Sequence, residues 1–172
     1  FDGLIDNETN KEFLNDIGNT DIENVDNMQK YFQNIKASSS IPRIPAGTSL
    51  KNAYPHKSPL QKIFKNEVVA GAIYSLVGSE AVVDHQFLHL TFPTKYFKKT
   101  NQRQMSQVNH QDSTIDPRIT FDIQLFYFPT DVTKEMGGTR YHPGTHLRIV
   151  NEMGIAKYQN IKGQKNIVCK AG

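Results

Sequence analysis

Helical patterning in the first half and strand patterning in the second predict a mainly β domain of jelly-roll type, buttressed by N-terminal helices. Two observations carry this class. Apolar residues recur at three- and four-residue steps before Gly78, whereas β-branched and aromatic residues dominate after Ser79, with glycine and proline turns between the runs. A third observation narrows it. The chain has no internal repeat and no strand–helix alternation, so a doubly wound parallel sheet is not expected, and Gly137-Gly138 lacks the partners of a phosphate-binding loop.

The elements follow in chain order. Residues 1–20 are rich in Asn, Asp and Gly without sustained periodicity and are expected to be loose or peripheral. From Asp21, a candidate cap, Ile22, Val25, Met28, Phe32 and Ile35 mark an amphipathic helix over residues 21–36. Residues 37–59 hold Ser38-Ser39-Ser40 and four prolines, the composition of an extended, surface-hugging connector. Ser58-Pro59 then opens a helix over 58–78, with Ser as N-cap and Pro at a position where its missing N–H does no harm. Leu60, Ile63, Phe64, Val68, Val69, Ile73 and Leu76 form its buried face, and Gly78 ends it.

Strands are expected over residues 81–92 and 119–128, the second alternating Ile119, Phe121, Ile123, Leu125 and Tyr127 against polar neighbours. Shorter strands are expected at 139–142, 156–160 and 166–170. That makes about five or six where a jelly roll normally uses eight, so an incomplete roll is expected. The division is an N-terminal helical and extended segment, 1–57, and a partial jelly-roll domain, 58–172.

Composition sets the function classes. The chain has 172 residues, 37% hydrophobic and 22% charged, suited to one soluble domain with a real core. Its longest apolar stretch, residues 68–77, is too short to span a bilayer, and no secretory signal is visible in the first residues given, which leaves a removed leader open. The chain starts with Phe, and together with its abrupt end this reads as a piece of a longer protein. Lone Cys169 fits a reducing compartment, and the expected location is cytoplasmic. The net charge of +3 divides unevenly: residues 1–35 carry eight acids against two lysines, a balance of −6, and the remainder holds +9. The cations of that remainder are spread out, apart from Lys95, Lys98, Lys99 and Arg103, which read as a solvated loop. No nucleic-acid or membrane partner is expected; an anionic small-molecule substrate or cosubstrate suits the charge.

Two residues stand out for chemistry. His110 and Asp112 are two apart, so in extended backbone their side chains leave the same face. They supply two thirds of the 2-His-1-carboxylate face that holds non-haem Fe(II) with open positions for substrate and oxygen. By itself the triplet arises easily by chance, and a loop histidine bonded to a nearby acid is the bland reading.

Other histidines carry less. His142 and His146 are four apart, but Pro143-Gly144 between them breaks any helix, so a turn with structural hydrogen bonds is expected over direct metal ligation. His85 and His89 share a strand face as half-buried histidines, with Gln86 on the other face, and which of the two points inward is open. His56 has no evident partner. There is no Gly-x-Ser-x-Gly elbow, Cys169 lacks an activating context, and no pair of acids singles out a glycosidase.

Taken in order, these pieces resemble the phytanoyl-CoA dioxygenase family of Fe(II)/2-oxoglutarate-dependent oxygenases. A helix ends at Gly78, a strand closes in Phe92-Pro93, and His110-Gln111-Asp112 follows. After another strand comes Gly138-Thr139-Arg140-Tyr141-His142-Pro143-Gly144-Thr145-His146, similar to the family's Pro-Gly-[Ser/Thr]-His turn. The resemblance covers residues 58–150. It implies a double-stranded β-helix of cupin-like form, Fe(II) as metal, 2-oxoglutarate as cosubstrate, and His110 and Asp112 as the first two ligands. It also implies a distal histidine and a 2-oxoglutarate-binding arginine further along, expected beyond Gly172, which would leave this form weak or inactive. Arg140 and Arg148 flank the turn without being identifiable as that arginine. Two rivals stand beside this reading: a non-catalytic cupin-like binding domain, and a zinc hydrolase built on His142 and His146.

Overall fold

In the computed structural model, which describes residues 1–17, 41–54, 56–89, 109–110, 122–147, 154–156 and 161–172, the chain enters its first helix at once. Helix α1 spans Asn7–Asp16, and Asp6 caps it by accepting from the Thr9 N–H at 2.8 Å and the Thr9 hydroxyl at 2.9 Å. Ile5, Thr9, Phe13 and Ile17 fall four apart and are all buried, a single stripe along one face. This corrects the expectation of a loose N-terminal segment. The stripe includes a threonine and lies among polar residues, so its apolar periodicity is weak; contact with later elements completes it. The helix expected over residues 21–36 lies outside the described residues.

The proline-rich connector is also corrected. Within it, β1 (Thr48–Ser49) and α2 (Leu50–Ala53) form, and Ala53 and Tyr54 are buried with Val83 at the centre of a hydrophobic cluster. Ile44, Leu50, Leu60 and Phe64 pack around it, with the Tyr54 and Phe64 rings stacked at 4.9 Å. Prolines restrict regular pairing at their own positions, but the proline-free run 46–54 keeps every N–H it needs.

The helix expected over 58–78 starts and stops as its caps dictate, but it is two helices. Ser58 accepts from the Leu60 N–H, Pro59 opens α3 (Pro59–Lys65), and Gly78 ends α4 (Glu67–Val77) at φ 97°. Between them Asn66 takes ψ 128°, closes α3 with its own N–H, and caps α4 by accepting from Val68 and Val69 N–H groups. An Asn side chain competes for backbone donors and so favours a cap over a helix interior. Ile63, Val69 and Ile73 are buried as expected, whereas Val68 and Leu76 are exposed. Helix α3 packs against both α1 and α4.

The strands are shorter than their patterns predict. Of residues 81–92, β2 (Val82–Val83) pairs antiparallel with β1, and 84–89 have no ladder. Residues 122–128 form no strand, while 119–121 lie outside the described residues. β3 (Asn109–His110) pairs with β5 (Gly154–Ala156), and β4 (Arg140–Tyr141) with β6 (Lys165–Asn166), both antiparallel. β4 lies inside the strand expected at 139–142, whereas β5 and β6 share only Ala156 and Asn166 with those expected at 156–160 and 166–170; residues 157–160 lie outside the described residues. The described residues thus build three two-stranded antiparallel sheets, consistent in sense with the expected class but smaller than a jelly roll.

One further arrangement joins the ends. Val132 and Cys169 exchange backbone hydrogen bonds of 2.9 and 3.1 Å, and Gly172 N–H reaches the Phe128 carbonyl at 2.8 Å. On its other side the Gly172 carbonyl accepts from Leu4 and Ile5 N–H groups at 2.7 and 3.0 Å. Among the described residues no helix is long and apolar enough to cross a membrane.

Candidate metal centre

His110 is the second residue of β3, which pairs with β5. Asn109 stands opposite Ala156 and His110 opposite Gly154, so one step along β3 matches two along β5. Ile155 is therefore the extra residue of a bulge, a device that bends a strand and can re-aim a side chain. The residue opposite the exposed His110 is Gly154, which carries no side chain. Asp112 lies outside the described residues, as does Gln111. An imidazole and a carboxylate are a donor set that suits ferrous iron. Among the described residues, no group of three His, Cys, Asp or Glu side chains gathers around one point.

The Pro143-Gly144 turn is built as its composition predicts. Gly144 takes φ 79°, and the Thr145 hydroxyl donates to the His142 carbonyl at 2.8 Å. His142 Nε2 lies 2.9 Å from the Lys162 carbonyl oxygen. A carbonyl only accepts, so Nε2 carries the proton and the lone pair sits on Nδ1. That Nδ1 is buried without a hydrogen-bond partner. His146 lies on the following short turn, Thr145–Leu147, and is exposed. The two histidines share no helix face, and His142 makes the structural hydrogen bond expected of it.

The third pair separates cleanly by face. Gln86 turns inward, accepting from the Tyr54 hydroxyl at 3.0 Å and donating to the Pro42 carbonyl. His85 and His89 are exposed, flanking the Phe87 ring with centroids 4.5 and 5.7 Å away, and His85 pairs with Asp84. The half-buried placement expected for them is corrected: the inward position of this segment belongs to the amide. His56 is exposed. Arg140 is half-buried on β4, and Arg148 lies outside the described residues. Burial, followed by the Asp2 and Asp131 carboxylates, pushes the Cys169 thiol up, which keeps it protonated and a poor nucleophile.

Two groups of polar contacts were not legible in the chain. Asp131 accepts from the Lys170 ammonium at 2.9 Å and the Ala171 N–H at 2.8 Å, and Asp2 accepts from the Lys170 N–H. Tyr127 binds Asn10. Both join distant segments, and no local spacing announces either.

With the geometry established, comparison with known proteins gives one match. The family model described as phytanoyl-CoA dioxygenase matches residues 11–172. No curated protein and no solved structure matches the chain.

Proposed function

The chain belongs to the phytanoyl-CoA dioxygenase family, and from that premise we propose that it is an Fe(II)/2-oxoglutarate-dependent dioxygenase that hydroxylates a small organic molecule. The observation that carries the proposal is the extent of the match: residues 11–172 include His110-Gln111-Asp112 and the Pro143-Gly144-Thr145-His146 turn in their expected order. Members of this family are generally dioxygenases acting on small-molecule substrates. The proposal includes a jelly roll over residues 58–172, with 1–57 as its flanking segment.

In this reading His110 and Asp112 hold the metal from one side. Bound Fe(II) supplies the oxygen and one-electron chemistry that side chains lack. The chain's own contribution is placement. β3 carries His110, the bulge at Ile155 shifts the register between the Asn109 and His110 pairs, and the residue opposite His110 is a glycine, Gly154. The excess of positive charge on residues 36–172, +9 in all, favours approach of the anionic cosubstrate.

Anaerobic titration tests the proposal. Adding Fe(II) and 2-oxoglutarate to a form of the protein that includes the family's distal histidine and arginine is expected to produce a visible metal-to-ligand charge-transfer band, lost in His110→Ala and in Asp112→Ala. A protein that shows no band, or a band indifferent to both substitutions, is a binding module rather than this oxygenase.

A further inference from the structure

We propose that His142 is a positioning residue for His110, acting through the strand that pairs with it. The path is short. β4 and β6 form a neck in which Arg140 faces Asn166 and Tyr141 faces Lys165, with Ile167 N–H bonded to the Thr139 carbonyl at 2.8 Å. Immediately beyond the neck, His142 Nε2 donates to the Lys162 carbonyl at 2.9 Å. The chain between those two residues carries β5, and β5 is the partner of the strand that ends in His110. The His142–Lys162 bond therefore closes the base of the excursion that delivers Gly154 to His110.

Three details make this a built contact. Gly163 takes φ 87°, and a Cβ there would come 3.3 Å from His142 Nε2, tighter than an ordinary side-chain contact, so the turn lies close against the ring. The turn is braced independently of the ring, by Gln164 N–H to the Ile161 carbonyl and by Ile161 N–H to the Gln164 side-chain oxygen, each 3.1 Å. Third, Nδ1 is buried without a partner. A leucine would fill the space without leaving a nitrogen unsatisfied; what the imidazole supplies instead is the Nε2–H bond.

The inference rests on the proposed iron site only in treating His110 as a ligand, and its test keeps the two apart. Hydrogen–deuterium exchange is measured on the whole chain for His142→Leu, which keeps bulk and loses the donor, and for His142→Gln, which keeps a donor at similar reach. His142→Leu is expected to speed exchange at residues 109–110 and 154–156 by roughly tenfold, the worth of one hydrogen bond, with α1 and α3 unchanged. His142→Gln is expected to restore protection. Unchanged exchange at β3 and β5, an equal rise in every segment, or a glutamine variant that behaves like the leucine one overturns the assignment. Fe(II) alone, competed against a chelator, is expected to bind more weakly to His142→Leu than to His142→Gln. If the unsubstituted protein takes up no Fe(II), or Asp112→Ala leaves uptake unaltered, the iron reading falls while the exchange pattern still decides the role of His142.

Discussion

The Tyr127 hydroxyl donates to the Asn10 side-chain carbonyl at 2.5 Å, joining residues 117 positions apart. The Tyr127 ring also meets Phe13 edge-on, with centroids 5.3 Å apart and planes at 82°. Asn10 is only 3% exposed, and its amide reaches back to the Ile5 carbonyl. One tyrosine thus fastens α1 to the segment before the Val132–Cys169 pairing. A buried amide oxygen deprived of its donor keeps its desolvation cost without compensation.

Burial first, and the Asp6 carboxylate second, push the Tyr127 phenol well above its ordinary value of 10.0. The folded state therefore holds this proton more tightly than the unfolded chain does. The resulting stability is complete below the unfolded value and is lost as pH rises through the folded one. Burial also raises Tyr54. Ultraviolet titration is expected to show Tyr54 and Tyr127 ionising late, and Tyr127→Phe is expected to remove one late step. Denaturant melts of Tyr127→Phe are expected to show a loss of about 1 kcal/mol.

The break at Asn66 is held by its side chain, which accepts from Val68 N–H at 3.0 Å and Val69 N–H at 3.4 Å. Asn66→Ala is expected to cost about 1 kcal/mol. Gly78 sits at φ 97° and ψ −175°, a region open to glycine and hostile to a Cβ. Gly78→Ala is expected to cost about 1–3 kcal/mol. Urea unfolding of both variants reads these losses, and a neutral Gly78→Ala contradicts the assigned cap.

Burial divides the apolar residues of the helical hairpin sharply. Ile63 is 2% exposed and Leu76 52%. Ile63→Ala is expected to cost about 2–5 kcal/mol, and Leu76→Ala less than about 0.5 kcal/mol. Equal losses would show that Leu76 is covered in the folded chain.

The Lys170 ammonium, and then the Ala171 N–H, hold the Asp131 carboxyl below its ordinary value of 3.8. A carboxylate lowered on folding stabilises the native state above its unfolded value and stops doing so as pH falls through its folded one. Carboxyl NMR titration is expected to place Asp131 below the ordinary aspartate value. Asp131→Asn is expected to flatten the acid limb of the stability profile, and an unaltered limb refutes the contact.

What lay open to a sequence reading was local chemistry. Ser58-Pro59 and Gly78 mark helix ends because capping needs only residues a few positions apart, and Pro143-Gly144 dictates a turn for the same reason. The order of motifs around His110-Gln111-Asp112 likewise identified the family, since a motif is a local pattern. Other features needed partners from elsewhere in the chain. Residues 7–16 become a helix whose stripe is completed by Ile5, Ile17 and contacts with α3; Asn66 breaks a helix that periodicity alone would continue. Alternation in residues 81–89 separated Gln86 from His85 and His89, but only the Tyr54 hydroxyl and the Pro42 carbonyl turned Gln86 inward. Paired segments of two or three residues hold too few interactions to declare their limits, so their bounds, partners and register, the bulge opposite His110 included, came from tertiary contact.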